Sequence, residues 1–240
     1  MKQQLEQIRI SALEALEAAA TPAALEELRV KLLGKKGELT AVLKQMGKLS
    51  AEERPIMGQL ANNVRAQIEE KLEGRKAEIH AAALEAKLKE MAENGPKPDV
   101  LTFAGNGEPT AHPHFAEIID DTIRLRDKYC PQAKVSVLSN STMLHHKQVH
   151  EALMRVDNNI LKLDTVSIEY IKKVDRPQQP NYNVEDIIES LSAFKGHVII
   201  QTMFMKGQAD GVDISNVKEE YIEPWLKAVE RIKPMEVMVY

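Results

Sequence analysis

Leu25, Leu28, Leu32, Leu39, Val42 and Met46 recur at steps of three, four or seven residues, with an interruption at Lys35. That spacing is an a/d seam on a helix. Ahead of it, residues 2–18 carry Leu5, Ile8, Leu13 and Leu16 on one side of a short amphipathic segment. Thr21-Pro22 then reads as an N-cap followed by the first helical position. Behind the seam, Leu49-Ser50-Ala51-Glu52-Glu53 reads as a capping box preceded by a staple residue. A further helix follows, with Leu60, Val64, Ile68, Leu72 and Ile79 on its apolar side. The connection is short, so the two long helical stretches pair antiparallel as an αα-hairpin.

The period changes after the breaker cluster Asn94-Gly95-Pro96-Lys97-Pro98. Strands are predicted at 99–104, 134–139, 159–164, 197–204 and 235–240. Helical patterns lie near 114–128, 146–155, 183–194 and 217–232, with a short helix at 167–174. Strands alternating with helices at this spacing predict a parallel sheet with right-handed crossovers. Along the strands, Leu101, Phe103, Leu161, Leu163, Ile200, Phe204, Val237 and Val239 form an apolar set. Thr102, Lys162, Asp164, Gln201 and Glu236 belong to the opposite parity. One apolar and one polar-lined face fits a segment of a (β/α) barrel better than a doubly wound sheet. The expected architecture is therefore an antiparallel helical hairpin, a coiled-coil arm, over residues 1–90. A partial parallel (β/α) barrel of about five strands follows over 91–240.

Composition sharpens that division. All ten aromatic residues lie in 103–240, and residues 1–102 have none. A core without aromatics is a narrow aliphatic seam, so the first region should project as an arm. The net charge of -4 singles out no partner. Local charge does: Arg29, Lys31, Lys35, Lys36, Lys44 and Lys48 are basic and only Glu38 is acidic between Arg29 and Lys48. No stretch has the apolar length of a membrane span, and the N-terminus has no apolar signal core, so the cytoplasm is the expected compartment. The one cysteine, Cys130, excludes an intramolecular disulfide and a cysteine-built cluster within the chain.

The run Arg29–Thr40, RVKLLGKKGELT, places Gly34 and Gly37 three apart in the helical pattern. Each costs roughly 1 kcal/mol relative to Ala inside a helix, which asks for a compensating close backbone approach. The surrounding Lys and Arg suit phosphate contacts. This run, together with LSAEERPIMGQLANNVRAQIEEKLEGRKAEI and LEAKL, resembles the N-terminal coiled-coil arm of the bacterial phenylalanyl-tRNA synthetase alpha subunit. The resemblance covers 1–90 and implies a tRNA-contacting arm. Nothing after residue 90 resembles that family's class II catalytic motifs, so aminoacylation is not implied.

In the second region, the loop Gly105-Asn106-Gly107-Glu108-Pro109-Thr110 leaves the first strand at its carboxyl end. Ser139-Asn140-Ser141-Thr142 leaves the second. The series FAGNGEPTAHP, VSVLSNSTML, NNILKLDTVS and VIIQTMFMKG resembles the radical S-adenosylmethionine (SAM) family over about 98–240. The resemblance implies SAM contacts at Gly105, Gly107 and Glu108, with Asn106 in place of the commoner glycine. It extends them to Ser139, Asn140, Lys162, Asp164 and Gln201. It also implies a [4Fe–4S] cluster, whose three-cysteine loop this sequence lacks. Cys130 follows a helix and reads as a packing residue or a surface thiol. His112, His114, His145, His146 and His150 have no acidic or thiol partners at metal-site spacing, so no metal site is expected.

The reading that unites both regions is a non-catalytic chimera: a tRNA-binding arm joined to a cluster-less radical SAM core fragment with at most residual SAM-binding loops. The alternatives are a radical SAM-type enzyme acting on tRNA with cysteines supplied elsewhere, and a tRNA-binding or interaction module. As this chain, catalysis is not expected. With the strand before Asp99 and the elements after Tyr240 missing, the open sheet edges, or the coiled coil, are expected to drive self-association.

Overall fold

A computed structural model describes the chain except for Asn106, residues 178–181, Asp210 and the side chain of Lys48. It divides into two compact units, Met1–Lys87 and Leu88–Tyr240.

The first unit contains α1 (Lys2–Ala18), α2 (Pro22–Leu33), α3 (Glu38–Leu43), a 3-10 turn (Lys44–Lys48) and most of α4 (Glu53–Asn94). The local signals act as read. Thr21 Oγ1 accepts from Ala24 N at 3.2 Å with Pro22 in the first turn. The Ser50 hydroxyl accepts from Glu53 N, and the Glu53 carboxylate accepts from Ser50 N. These reciprocal bonds satisfy two donors that a helix start leaves open. Leu25, Leu32, Leu39 and Val42 bury against Val64, Ile68 and Leu72. Lys76 acts electrostatically on Glu26, and Met46 reaches the neighbourhood of Gly58, so the two stretches run antiparallel. The first segment is more than a lead-in. Leu5, Ala12 and Leu16 of α1 are buried in the same core. Glu17 of α1 and Ala19, just past its end, meet Lys71 and Arg75 of α4.

One expectation changes. The glycines do not sit inside a helix: α2 ends at Leu33 and α3 starts at Glu38. A Cβ on Gly34 would stand 2.4 Å from Val30 O, and one on Gly37 would stand 2.7 Å from Leu32 O. The chain turns back on the carbonyls of α2 at van der Waals contact, which only glycine permits. No helix-interior penalty arises, because the turn itself is what the two residues supply.

The second unit is built on a five-stranded parallel sheet whose strands lie side by side in chain order. Its strands are β1 (Val100–Phe103), β2 (Lys134–Ser139), β3 (Asn158–Lys162), β4 (Ile199–Thr202) and β7 (Glu236–Val239). A short antiparallel hairpin, β5 (Gln208–Ala209) with β6 (Val212–Asp213), lies between β4 and the last helix. The helices are α5 (Phe115–Tyr129), α6 (Lys147–Leu153), α7 (Ile168–Val174), α8 (Val184–Ser192) and α9 (Glu219–Ile232). Strand order follows chain order, so every crossover steps the same way. With one handedness, all crossover helices then fall on one face, which is the winding of a (β/α) barrel. That face is the core: Val135, Val137, Leu161 and Ile200 pack with Ile119, Leu153, Ile188, Trp225 and Ile232.

The register puts Thr102 beside Ser136, Ser136 beside Asn158, Lys162 beside Gln201, and Gln201 beside Met238, so the polar parity shares the opposite face. That polar-lined face is not open to solvent across its whole width. Thr102 and Glu236, on the edge strands, are exposed, but Gln201 is 9% exposed and Ser136 3%. Edge strands have one neighbour and central strands two, so access to solvent falls toward the centre.

Candidate functional site

The first candidate surface is the turn between α2 and α3. Gly37 N donates to Gly34 O at 2.8 Å, and the Thr40 hydroxyl donates to the same carbonyl at 2.9 Å. The turn is thus braced on one acceptor while Lys35 and Lys36 remain exposed. The basic residues read from the sequence separate into two groups. Arg29 is held by Glu26 at 2.5 Å and Lys31 lies 3.5 Å from Glu38. The hydrogen bond and charge of Glu26 raise the pKa of Arg29 above its usual value. Among the described residues, no carboxylate pairs with Lys35, Lys36 or Lys44. The Lys48 side chain lies outside the described ones.

The second candidate is the carboxyl end of the sheet, where a parallel (β/α) unit gathers its loops. Gly105 and Gly107 have φ of 145° and 154°, a region open to glycine and closed to most side chains. Asn106 lies outside the described residues. Glu108 is a strut between two loops. Its carboxylate accepts from Thr110 N at 3.0 Å and from the Thr110 hydroxyl at 2.5 Å. It also accepts from Asn140 N at 2.7 Å. Ser139 is buried, and its hydroxyl accepts from Ser141 N. Asn140 Oδ1 accepts from the backbone and hydroxyl of Thr142.

Lys162 and Asp164 form an ion pair at 2.7 Å, with the carboxylate side chain 8% exposed. Asp164 also accepts from Met203 N at 2.8 Å. Burial pulls the Lys162 ammonium down, but the hydrogen bond and charge of Asp164 outweigh it and hold the pKa above the usual lysine value. The pair borders a cleft of about 570 Å³ that also takes in Thr142, Ile171, Asp175, Arg176 and Tyr182. Desolvation raises the Asp175 carboxyl against the opposing pull of Lys162. It raises the Tyr182 phenol as well. Glu108, Ser139, Asn140, Lys162 and Asp164 are therefore brought to one end of the sheet. Gln201 lies on the strand face beside Lys162, and Lys162 and Asp164 with Asn140 reach the cleft.

Sequence reasoning did not single out Ser141, Asn216 or Trp225. Each donates to a carbonyl at or just past the end of β3: Ser141 to Lys162 O, Trp225 to Leu163 O, Asn216 to Asp164 O. Ser141 stood inside the SNST run and was legible there; Asn216 lies in no pattern. Asp175, Arg176 and Tyr182 were equally unmarked, because their relevance comes from a cleft and not from spacing.

A cubane cluster does not fit these residues. The chain has one cysteine. Cys130 is fully buried after α5, beside the amino end of β2, opposite the loops just described. One thiolate does not hold a [4Fe–4S] cluster. The buried position settles Cys130 as a packing residue. The histidines do not converge either: His150 stacks on Phe194 at 4.2 Å while His145 faces His146. Among the described residues no group of three metal-binding side chains forms.

Residues 20–88 match the family described as aminoacyl tRNA synthetase class II, N-terminal domain. The helical unit is similar to one part of a synthetase subunit. Among curated relatives, the phenylalanine–tRNA ligase alpha subunit of Exiguobacterium sp. is 46% identical over 121 residues, covering 50% of this chain and 34% of that protein. The alpha subunit of Desulforamulus reducens is 56% identical over 88 residues, covering 37% and 26%. The chain thus spans about a third of the length of the curated relatives it matches. Among solved structures, Streptococcus suis SuiB matches with TM-score 0.46 at 14% identity, covering 90% of this chain and 54% of that one. TYW1 with a lysine-pyruvate adduct bound matches with TM-score 0.43 at 15% identity, covering 71% and 54%. Among the described residues no helix is long and apolar enough to cross a membrane.

Proposed function

We propose that the helical unit binds tRNA through the α2–α3 turn, and that the α/β unit holds a small molecule at its strand ends without cluster chemistry. The observation that carries the first part is the pair Lys35 and Lys36. They are exposed, free of carboxylate partners among the described residues, and presented on a braced turn inside the segment that matches the synthetase domain. Two unpaired ammonium groups on one turn suit a phosphate backbone, and a braced turn loses little entropy when it binds. Arg29 and Lys31 contribute less, because binding must first displace Glu26 and Glu38. Filter binding of the full chain to tRNA over a salt series tests this. Affinity should fall steeply with salt, and K35E/K36E should lower both the affinity and the salt slope, the slope by about 2. Unchanged binding by the double variant overturns the assignment.

The second part rests on the donor set. Gly105, Gly107, Glu108, Ser139, Asn140, Lys162, Asp164 and Gln201 would hold SAM if it binds, and this chain has no three-cysteine loop to ligate a cluster that could deliver an electron to it. We therefore read the chain as non-catalytic toward SAM. After anaerobic reconstitution it should carry no iron or sulfide and release no 5′-deoxyadenosine. Iron near stoichiometry together with that product overturns the reading.

A further inference from the structure

The two outer strands of the sheet differ in how their free edges are guarded. β1 follows Pro96, Lys97, Pro98 and Asp99, and the prolines have no amide hydrogen to offer a partner strand. β7 contains no proline and one charged residue, Glu236. Tyr240 N donates to Thr202 O at 3.2 Å, and Phe204 N donates to Tyr240 O at 3.0 Å. Backbone direction alternates along a strand, so Met238 also turns toward β4. The N–H and C=O groups of Val237 and Val239 then point away from it. Among the described residues no strand pairs with that outer side.

The side chains along this edge are apolar as well. Val237 lies beside Ile200 in register, so Val237 and Val239 sit on the helix-covered face of the sheet. They are nonetheless 36% and 52% exposed. Helix α9, the crossover into β7, packs on that face through Trp225, Ala228 and Ile232. Its Arg231 reaches Glu185 and Glu189 of α8, which fixes the flank of α9 that looks toward α8. At 3.6 residues per turn Leu226 falls on the other flank, toward the free edge, and it is 47% exposed. Unpaired backbone groups with an apolar strip beside them are a template for another strand.

We propose that β7 is a dimerisation edge and that its occupant is β7 of a second copy of this chain, running antiparallel. The backbone fixes the register. Setting Val237 opposite Val239 of the partner subunit uses every outward N–H and C=O of both valines in both strands. That register places the two-fold axis at Met238. The two copies of Met238 then face each other as a non-hydrogen-bonded pair, with Cα atoms about 4.5 Å apart. Glu236 falls opposite Tyr240 of the partner subunit, so no like charges meet. The sheet runs on through the axis with the helices of both copies on one side. The Leu226 flanks of the two α9 helices face each other above the valine pairs. A two-fold axis closes the pair and leaves no edge there for further growth. Neither tRNA binding nor ligand binding enters into this pairing.

Size exclusion with light scattering on the full chain tests it. Across a concentration series the mass should rise to about twice the 26.9 kDa of one chain and stop there. V237K/V239K, at exposed positions, should hold the monomer mass with an unchanged circular dichroism spectrum. Under oxidation Met238→Cys should give a disulfide-linked dimer, because the expected separation lies within the span of that bond. Glu236→Cys, whose two copies stand well apart along the strands, should not. Cys130 is fully buried and does not compete. A monomer throughout, a dimer unaffected by V237K/V239K, or an open-ended series of larger species overturns the proposal. So does cross-linking of Glu236→Cys to the same extent as Met238→Cys.

Discussion

The two units handle polar groups in opposite ways. Among the described residues, every buried polar side chain, from Thr110 to Asn216, belongs to the α/β unit, and the buried core of the helical unit is aliphatic. The helical unit keeps its charges on the surface as i,i+3 pairs such as Glu6–Arg9 and Glu26–Arg29, which contribute little to stability. The lesson is that chemistry resides in different places in the two. In the helical unit it is a matter of which surface lysines lack a partner. In the α/β unit it is a matter of what buried donors hold still.

That contrast is sharpest in the core. Trp225 is buried, meets Phe204 edge-on at 5.2 Å and donates to Leu163 O. Trp225→Ala should destabilise the α/β unit by about 3–5 kcal/mol. All aromatics lie in 103–240, so near-ultraviolet circular dichroism reports that unit alone. The thermal transition in that band should drop sharply. A comparable aliphatic truncation in the seam, such as Ile68→Ala, should leave the near-ultraviolet band untouched and lower the far-ultraviolet signal.

Asn216→Ala should cost about 2–3 kcal/mol, since it strands Met205 N and two carbonyls in a dry site. Asn216→Asp should not rescue it, because a carboxylate cannot donate. Equal stability of wild type and Asn216→Ala in urea would show that water replaces the side chain. In the helical unit, Gly37→Ala should cost about 1–3 kcal/mol by driving a methyl group into Leu32 O. K35E/K36E, in contrast, should shift stability by no more than about 0.5 kcal/mol while weakening tRNA binding.

The smallest effect is one of pH. Asp157 is desolvated, which would raise it, but Val135 N–H and the Arg126 guanidinium lower it overall. A carboxylate depressed in the folded state stabilises above its unfolded value and loses that contribution as pH falls through the folded one. Stability should therefore decline below about pH 4, and Asp157→Asn should flatten that decline in acid melts.

Much of this was legible in sequence because it depends on neighbours in the chain. Thr21, Ser50 and Glu53 cap within their own turn, and the parity of Phe103, Leu161, Leu163, Ile200 and Phe204 marks residues that face the helices. The break between α2 and α3 was not, since Leu39 and Val42 keep the seam period across it and the two glycines could be read either way. The division of the basic run was hidden too. Whether Lys31 or Lys35 is free depends on where the turn places Glu38. Asn216 was invisible for a plainer reason: its three partners are 11, 13 and 52 residues away.

The order β1-β2-β3-β4-β7 also bears on how the sheet comes into being. Each strand lies beside the strand that precedes it in the main sheet, so no pairing waits for a distant part of the chain. Closure entropy rises only slowly with loop length and is met one crossover at a time. Growth of the sheet can track synthesis of the chain, with β7 docking last on a template that β4 already presents. Mutations that slow folding should then cluster in β2 and β3, and those near β7 should act chiefly on the rate of unfolding.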